Sequence, residues 1–529
     1  MQIDLAALPD DPATLQQMLR EVVSAAAQRD AELNAENDKL RLLIQRYLRH
    51  RFGPRSEQLD ADQLQLGLED LEQESAASES AQDGGEVLGD QRQRASQPNR
   101  NRGGLPAHLP RIEVVIDVES KQCPCCGGRL HAIGEDVSEM LDIIPAQLRV
   151  KVTRRPKYAC RSCESAIVQA SAPERPIDGG MATEALIAHV VVSKFLDHLP
   201  LYRQSQILAR QGIALDRSTL SSWVGRACWW LKPLYDLIVK TVLSSDSLLA
   251  DDTTLPVLDP GRGRTKTGRL WCYAVDERPW GGSAAPAVAY IYSADRKAEH
   301  PACHLAAFRG TLQVDGYSGF KSLAEDRPDG AIRLAFCWAH VRRRFYEIQA
   351  ANGSPVATEV LKRIAALYKI ESEIRGRPAE TRQAIRQERS RPLVDELHAW
   401  LQQQLNRVSG KSAIAEAIRY ALNHWQGLIV FLDDGRVELD TNAVERAIRP
   451  VALNRKNTLF AGSDSGACHW ATMMTLIQTA KVNGIEPLSY LTDILQRIVS
   501  GRTKSHELQS MLPWNWPPDT CLQPNAAAA

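Results

Sequence analysis

The sequence predicts a multidomain α/β protein built around a mixed sheet, and three observations support this fold class. At 529 residues, the chain is long enough for several domains. Its hydrophobic content of 44% and charged content of 24% are ordinary for a globular protein. Over residues 246–345, apolar periods follow in the order three strands, helix, strand, helix, strand, helix. That order is typical of a ribonuclease-H-like core, in which helices cover a mixed sheet.

Short sequence runs define the elements of this predicted core. SLLADDTTLPVL, RLWCYAVD and AVAYIYS are the first three strands, and a helix is expected at about residues 296–308. TLQVDGYS is the fourth strand, AIRLAFCWAH the fifth, and HVRRRFYEIQA the closing helix. Residues 346–435 are mainly helical and charged, so we expect a helical insertion there. The core is then expected to resume over residues 436–488, before a C-terminal tail at 489–529.

Three acidic residues lie where predicted elements begin or end. Asp251 lies in the first strand, and Asp315 directly follows the fourth. Glu445 follows a strand-like run that ends at Asp440, in a new helix capped by Thr441 or the next residue, an asparagine. Carboxylates gathered from separate elements can hold two hard divalent cations, which clamp the attacking and leaving oxygens of a phosphodiester. The sequence therefore favours metal-dependent chemistry on nucleic acid.

Each acid also has a simpler interpretation. Asp252 could be the ligand instead of Asp251, although only one of two adjacent strand residues faces a given side of the sheet. Asp315 precedes a glycine, so its side chain could cap its own turn. Glu445 precedes an arginine, with which it could form a surface ion pair. The order of the three acids along the predicted elements is what favours a shared site.

The amino-terminal residues predict a helix followed by a linker. Apolar residues repeat every seven positions from Leu19 to Tyr47, and two polar residues occupy the intervening seam, which favours a coiled coil within residues 1–55. A single amphipathic helix packed on its own protein is the alternative. Residues 56–105 are rich in polar residues and poor in apolar ones, so a disordered linker is expected.

The neutral overall charge conceals an asymmetry. Residues 1–90 contain 8 Lys and Arg against 19 Asp and Glu, a net charge of −11, which leaves +11 on the remainder. A basic body favours a polyanionic partner such as DNA, and simple solubility charge is the alternative. The sequence shows neither a signal peptide nor an apolar run that could cross a bilayer, so a cytoplasmic location is expected.

Paired cysteines predict a zinc module over residues 106–175. Two C-x-x-C pairs can complete a closed four-sulfur shell around one structural Zn²⁺, and four reduced, unliganded cysteines are the alternative. The eleven cysteines of a chain without a secretory signal argue against a disulfide framework. Cys125 is expected to be a bystander between the pairs. The expected ligands are Cys123, Cys126, Cys160 and Cys163.

Residues 176–245 predict a helical region with a helix-turn-helix pattern. One helix is expected to end near Gly212, and Asp216 or Ser218 can cap a second helix after a short turn. Such modules contact DNA through the start of the second helix, although helical hairpins also occur in many bundles. The residues expected to contact DNA are Arg217, Ser218 and Thr219.

Four long motifs connect the chain to a known family. The chain closely resembles the TnpC-type transposases of bacterial insertion sequences, the IS-sixty-six family, in ADDTTLPVLDPGRGRTKTGRLW, QVDGYSGF, CWAHVRRRF and DTNAVERAIRPVALNRKNTLFAGS. The resemblance covers nearly the whole chain, including the zipper-like helix, the paired cysteines and the tail SMLPWNW. This chain reads ADDTT where many relatives read ADET followed by proline, so Asp251 is in place while its neighbour differs.

The resemblance implies a DDE transposase that binds insertion-sequence ends and uses two Mg²⁺ or Mn²⁺ ions held by Asp251, Asp315 and Glu445. It implies hydrolytic nicking at the element ends, followed by attack of the freed 3′-hydroxyl on target DNA. The implied partners are double-stranded DNA (terminal inverted repeats and target), further copies of the chain through the amino-terminal helix, and accessory proteins encoded by the element. The implied location is the bacterial cytoplasm, in association with the nucleoid.

Basic runs near the acids are expected to contact DNA phosphates. His340, in CWAH, could contact the scissile strand or be structural, and its spacing from Cys337 is too isolated to predict a second zinc site. A catalytically inactive, transposase-derived DNA-binding repressor and a ribonuclease-H-like nuclease or resolvase are the alternative functions. The presence of all three acids disfavours the repressor. The basic runs contain Arg342, Arg343, Arg344, Arg446, Arg449, Arg455 and Lys456, and several of these residues are expected to bind phosphates.

Overall fold

The computed structural model describes residues 148–159, 167–259, 263–327 and 330–516. Within these ranges the chain forms two compact units. The sheet unit contains residues 242–284 and 288–467, and the second unit contains residues 148–241, 285–287 and 468–516. The heptad helix, the linker and the four cysteines of the predicted zinc module lie outside the described residues. No helix in the described ranges is both long and apolar enough to cross a membrane.

The second unit begins with two short strands and three helices. Strands β1 (Lys157–Ala159) and β2 (Ile167–Gln169) pair antiparallel. The run QLRVKVTRRPKYAC predicts a strand before the second cysteine pair, but of its described residues 148–156 are irregular and only 157–159 form a strand. The helices are α1 (Glu184–Phe195), α2 (Leu201–Arg210) and α3 (Arg217–Leu243).

A tight turn joins α2 to α3. Gly212 has a φ of 82°, a left-handed conformation that glycine adopts without steric cost, and it allows the chain to leave α2. Helix α3 begins at Arg217, directly after Asp216. The predicted sequence of helix, glycine turn and helix is therefore observed, while DNA contact by this region stays a prediction.

The sheet unit contains a five-stranded mixed sheet in the order β5–β4–β3–β6–β7. Strand β3 pairs antiparallel with β4 and parallel with β6, and β6 pairs parallel with β7. The prediction of a mixed sheet accompanied by many helices is thus confirmed. The strands are β3 (Ser247–Asp259), β4 (Arg264–Val275), β5 (Ala287–Ser293), β6 (Gly310–Val314) and β7 (Ile332–Phe336).

Three helices alternate with the last strands of this sheet. They are α4 (Glu299–His304), α5 (Ser318–Glu325) and α6 (Trp338–Asn352). The helix predicted at 296–308 is shorter than expected. The fifth strand ends before the predicted CWAH, because Cys337 is already the N-cap of α6.

Six further helices, here called the interposed helices, follow α6. All of them except the short second one share one apolar core with α6 and β7, which includes Ala335, Trp338, Val360, Ile418 and Leu428. A π-helical turn, Arg386–Ser390, joins the second interposed helix to the third. The interposed helices are α7 (Pro355–Ile374), α8 (Ala379–Ile385), α9 (Arg391–Leu405), α10 (Ala413–Asn423), α11 (Trp425–Leu428) and α12 (Val430–Asp433).

The segment after α12 was wrongly predicted as strand-like. Residues 434–441 form turns and bends. They lie beside β6 because the Gln313 side-chain amide donates to the carbonyl oxygens of Glu438, at 2.7 Å, and Asp440, at 3.2 Å. Helix α13 (Asn442–Thr458) follows and packs against β3.

Two helices complete the described chain, α14 (Asp464–Val482) and α15 (Pro487–Val499). In the second unit α15 packs against α1. The following residues fold back on α15, because the Tyr490 hydroxyl donates to the Met511 carbonyl at 2.8 Å and the Trp516 indole donates to Asp493 at 2.9 Å. The tail motif SMLPWNW is therefore part of this packing.

Candidate active site

Parallel pairing of β3 and β6 brings Asp251 and Asp315 to the same level of the sheet. Leu249 lies opposite Gln313 in the register of the two strands. Each acid lies two residues beyond its partner in that pair, and neighbouring strands are about 4.8 Å apart. Since side chains at equivalent positions of adjacent strands share a face, the two carboxylates lie side by side.

Glu445 reaches the same region from the first turn of α13. Thr441, the N-cap residue, donates its hydroxyl to Glu445 Oε1 at 2.8 Å. His340, on the first turn of α6, places Nδ1 3.8 Å from the same oxygen, beyond hydrogen-bond distance. That Nδ1 atom is buried and has no hydrogen-bond partner in the described chain. Arg446 is exposed and forms no ion pair with Glu445 among the described residues, so the structure does not contain the simpler pairing.

Each of the three acids has one oxygen held by a protein donor. The Asp252 amide donates to Asp251 Oδ1 at 2.6 Å, and the Tyr317 amide donates to Asp315 Oδ1 at 2.9 Å. Thr441 plays this part for Glu445. The second oxygen of each acid accepts no hydrogen bond from any residue that the structure describes. The capping role considered for Asp315 therefore exists and leaves one of its oxygens available.

The electrostatics of Asp251 show that the other two acids act on it. Burial raises the pKa of Asp251 well above its usual value, and the charges of Asp315, Asp252 and Glu445 raise it further. His340 opposes this shift. Three carboxylates in such proximity are stable only if they bind protons or cations.

Asp252, the alternative to Asp251, is occupied by two arginines. Its Oδ2 accepts from Arg269 at 2.8 Å, and its Oδ1 accepts from Arg296 at 2.7 Å. Its side chain is only 1% exposed. These ion pairs satisfy both oxygens, so Asp252 is a structural anchor for the arginines while Asp251 remains available to a cation.

The donor set suits a divalent cation. Besides the free carboxylate oxygens, ligand atoms of Cys337, His340 and Glu445 lie within 4.8 Å of one another. Cys337 is the weakest of these ligands, because burial raises the pKa of its thiol well above the usual value and its sulfur accepts the Thr441 amide at 3.3 Å. Carboxylate oxygens with one imidazole nitrogen therefore form the more favourable set. The three-residue spacing in CWAH was the signal for this grouping, which the sequence analysis left aside.

The basic residues predicted to bind DNA have different environments. Arg455 donates to the Thr254 carbonyl at 2.7 Å and thereby ties α13 to β3, which competes with a phosphate contact. Arg446 and Lys456 are exposed on α13, and Arg449 is partly buried. In the second unit, Arg217 and Ser218 are exposed at the start of α3, and Thr219 is partly buried. Arg342 and Arg343 lie partly exposed on α6.

Comparison with known families decides which class of protein carries this site. Residues 179–469, more than half of the chain, match the model described as Transposase IS66 family. The chain belongs to the IS66 transposase family. Three further models of this family match, with the descriptions zinc-finger binding domain of transposase IS66 at 120–164, Transposase C of IS166 homeodomain at 39–114, and IS66 C-terminal element at 475–514.

Relatives that match most of this IS66-family chain occur in Sinorhizobium fredii (strain NBRC 101917 / NGR234). The uncharacterized protein y4jD is 50% identical over 495 residues, which covers 92% of this chain and 95% of the relative. The uncharacterized protein y4qI is 42% identical over 544 residues, which covers 98% and 99%. Family membership indicates a transposase and hence a DNA-processing enzyme that uses divalent metal. It also indicates a zinc-binding domain, whose matched range contains all four cysteines singled out above.

Asp440 supplies a pH-dependent contribution to the stability of the IS66-family core. Burial raises its pKa from 3.8 to about 6, and Glu438 and Glu445 add to this, against hydrogen bonds from Asn442 and Tyr368. Because the folded pKa exceeds the unfolded one, the stabilisation present below about pH 4 is lost as pH rises through about 6. We expect Asp440→Asn to remove this loss. The free energy of unfolding of the variant, relative to wild type, should increase by on the order of 2–3 kcal/mol between pH 4 and pH 7.

Urea unfolding at both pH values measures this difference. Asp326→Asn, at an exposed acid beyond α5, is the matched control and should follow the wild-type pH dependence. Parallel wild-type and Asp440→Asn curves across the window would contradict the prediction.

Proposed function

We propose that this chain is a DDE transposase that binds insertion-sequence ends, cuts DNA strands with divalent metal and transfers the freed 3′-hydroxyl to target DNA. The observation that carries the proposal is the arrangement of Asp251, Asp315 and Glu445, each with one oxygen fixed by a protein donor and one oxygen available. The sheet order, with β3 between an antiparallel and a parallel neighbour, supports a ribonuclease-H-like core.

Asp251, Asp315 and Glu445 would hold two Mg²⁺ or Mn²⁺ ions. When bound, the ions would supply charge stabilisation at the attacking and leaving oxygens of the scissile phosphate. The chain itself fixes the ligands: the Asp252 and Tyr317 amides and the Thr441 hydroxyl orient the three acids before any cation arrives. Asp251 must lose the proton that its raised pKa favours, so cation binding and proton release are coupled there.

The proposed DNA contacts follow from exposed donors. Arg217, Ser218 and Thr219, at the start of α3, would contact the element end. Basic side chains of α6 and α13 would neutralise backbone phosphates near the acids. Assembly through the amino-terminal heptad helix, with accessory proteins of the element as further partners, belongs to the same proposal. The proposed phosphate contacts are Arg342, Arg343, Arg446, Arg449 and Lys456.

Strand cleavage on DNA that carries the element's terminal inverted repeats tests the proposed function. The full chain is incubated with labelled duplex in Mg²⁺, in Mn²⁺ and in chelator. We expect nicks at the element end and joined products in Mg²⁺ or in Mn²⁺, and neither product in chelator. End binding without cleavage under every metal condition would indicate the repressor alternative instead. Cleavage that is independent of the terminal repeats would indicate a nuclease.

The paired cysteines give a prediction that does not depend on catalysis. We propose that Cys123, Cys126, Cys160 and Cys163 hold one Zn²⁺, because four thiolates complete its tetrahedral shell. Elemental analysis of purified protein should give one zinc per chain, and Cys123→Ser should reduce this to near zero. Cys125→Ser, which changes the intervening cysteine, is the matched control and should retain the metal. A folded, zinc-free wild-type protein would defeat this assignment.

A further inference from the structure

Lys321 and Arg344 are two cationic residues close to Asp315. They are not part of the acid site described above. We propose that they bind one backbone phosphate of the DNA strand next to the scissile phosphate, and that Tyr420 and His424 of α10 hold them in place. This inference rests on the proposed transposase function and extends it to a specific substrate contact. It also assigns a role to the interposed helices, in which Tyr420 is distant in sequence from Asp315.

Helix α10 lies directly against the turn that carries Asp315. The Tyr420 hydroxyl donates to the Asp315 carbonyl oxygen at 3.2 Å. The next residue, Gly316, has a φ of 100°, and a Cβ atom there would lie 3.0 Å from His424 Nε2. The conformation and the close approach both favour glycine at this position. The acid and the two aromatic residues are therefore in one contact layer.

Arg344 is held on an aromatic face instead of on a carboxylate. Its guanidinium carbon lies 3.9 Å from the centroid of the Tyr420 ring. The side chain is exposed on α6, and it forms no ion pair within the described residues. A guanidinium stacked on a ring keeps its N–H donors at the edge of the stack, where a phosphate can accept from two of them.

Lys321, on α5, is held by His424. Its ammonium group donates to His424 Nε2 at 2.8 Å, and it also lies 5.3 Å from the centroid of the Phe336 ring. Because His424 Nδ1 lies 2.7 Å from the Tyr420 carbonyl and donates to it, the neutral ring presents Nε2 as an acceptor. Lys321 forms no ion pair with any described carboxylate, and two ammonium protons remain for a ligand.

The charge pattern distinguishes these two cations from their neighbours. Arg269 and Arg296 both pair with the one carboxylate of Asp252, and Arg343 pairs with Glu347 on its own helix. Neither Lys321 nor Arg344 has such an acid among the residues that the structure describes. Three converging carboxylates repel a DNA strand, so cations without an acidic partner next to Asp315 would offset that repulsion. Two charged donors next to each other can both donate hydrogen bonds to the oxygens of one backbone phosphate.

DNA binding in a Glu445→Gln background, in which strand cleavage is blocked, tests the phosphate contact. The probe is a duplex with the element's terminal repeat, and binding is followed by fluorescence anisotropy over a range of salt concentrations. Lys321→Gln and Arg344→Gln should each weaken binding about 10-fold and lower the salt slope by about 1. Lys362→Gln, an exposed lysine on α7, is the control with the same charge change and should match the parent.

Replacing single DNA phosphates with uncharged methylphosphonates identifies the phosphate that Lys321 and Arg344 contact. Single methylphosphonate substitutions next to the scissile position should include one that weakens binding by the parent and has a smaller effect on Lys321→Gln or Arg344→Gln, each of which keeps only one of the two cations. Unchanged affinity and salt slope in both variants would overturn the proposal. Additive losses at every substituted phosphate would also overturn it, because the lost charge would then act only at long range.

The Tyr420 ring can be tested separately from its hydroxyl. Tyr420→Phe keeps the ring under Arg344 and should bind DNA like the parent, whereas Tyr420→Leu should lose as much affinity as Arg344→Gln. Equal binding by the Phe and Leu variants would refute the stacking role. If the wild-type chain neither binds nor cuts element ends, the proposed function itself fails. If it does both while Lys321 and Arg344 are dispensable, only this inference fails.

Discussion

Replacing Glu445 with glutamine is expected to lower DNA strand cleavage about 1,000-fold, which corresponds to about 4 kcal/mol of lost transition-state stabilisation. The amide keeps the shape of the side chain and an oxygen that can accept from Thr441. It removes the negative charge, and hard divalent cations bind neutral amide oxygens less strongly than carboxylates. Cleavage rates at saturating DNA measure the effect, and DNA affinity without metal should remain at the wild-type value.

Matched variants make this test specific. Asp251→Asn and Asp315→Asn should show losses of the same order, because all three acids contribute one available oxygen. Glu388→Gln, at an exposed glutamate on the π-helical turn, should leave cleavage unchanged. Full activity in any one of the three site variants would remove that residue from the proposed metal site.

Asp252→Asn distinguishes the roles of the two adjacent aspartates of β3. Asp252 binds Arg269 and Arg296, so its replacement should reduce stability without changing the Mg²⁺ concentration needed for half-maximal cleavage. Asp251→Asn should change the metal requirement. The reverse outcome would exchange the roles assigned to the two residues.

The first two acids could be predicted from sequence because their signals are local. The alternating run around Asp251 and the apolar run before Asp315 each identify a strand within a dozen residues. Glu445 could not be placed in this way. It follows the interposed helices, and its connection to the other two acids rested mainly on the family resemblance. Its position depends on the packing of α13 against β3, which no local pattern encodes.

The errors in the predicted elements have physical reasons. The run RVELD alternates like a strand, yet its Glu438 and Asp440 carbonyl groups accept from the Gln313 side chain and its Leu439 carbonyl accepts from the Trp338 amide, instead of from a neighbouring strand. The fifth strand was extended too far because CWAH continues an apolar pattern, although Cys337 already caps α6. Tyr420 was missed for another reason: it contacts the Asp315 turn across 105 residues of sequence. Such long-range contacts are decided by tertiary packing and not by local periodicity.

The buried ion pair between Arg386 and Glu371 is expected to contribute the largest single-residue effect on stability. Two guanidinium nitrogens of Arg386 donate to the two Glu371 oxygens, at 2.8 and 2.6 Å. A third donates to the Phe431 carbonyl at 2.8 Å, and the arginine is fully buried. Arg386→Ala should lower the free energy of unfolding by about 3–5 kcal/mol, because Glu371 would keep a buried charge with fewer partners. Urea denaturation of the full chain measures this loss.

Arg389 on the same π-helical turn is the matched control. It pairs with Glu373 at 2.7 Å, but its side chain is 44% exposed. Arg389→Ala should therefore cost less than about 1 kcal/mol, since water replaces most of the lost interaction. The double variant Arg386→Met with Glu371→Leu should recover much of the stability lost in Arg386→Ala, because it leaves no unpaired buried charge. Similar losses for Arg386→Ala and Arg389→Ala would show that burial does not govern this network. In that case, the contacts that connect α7, the π-helical turn and α12 would stabilise the interposed helices no more than surface ion pairs do.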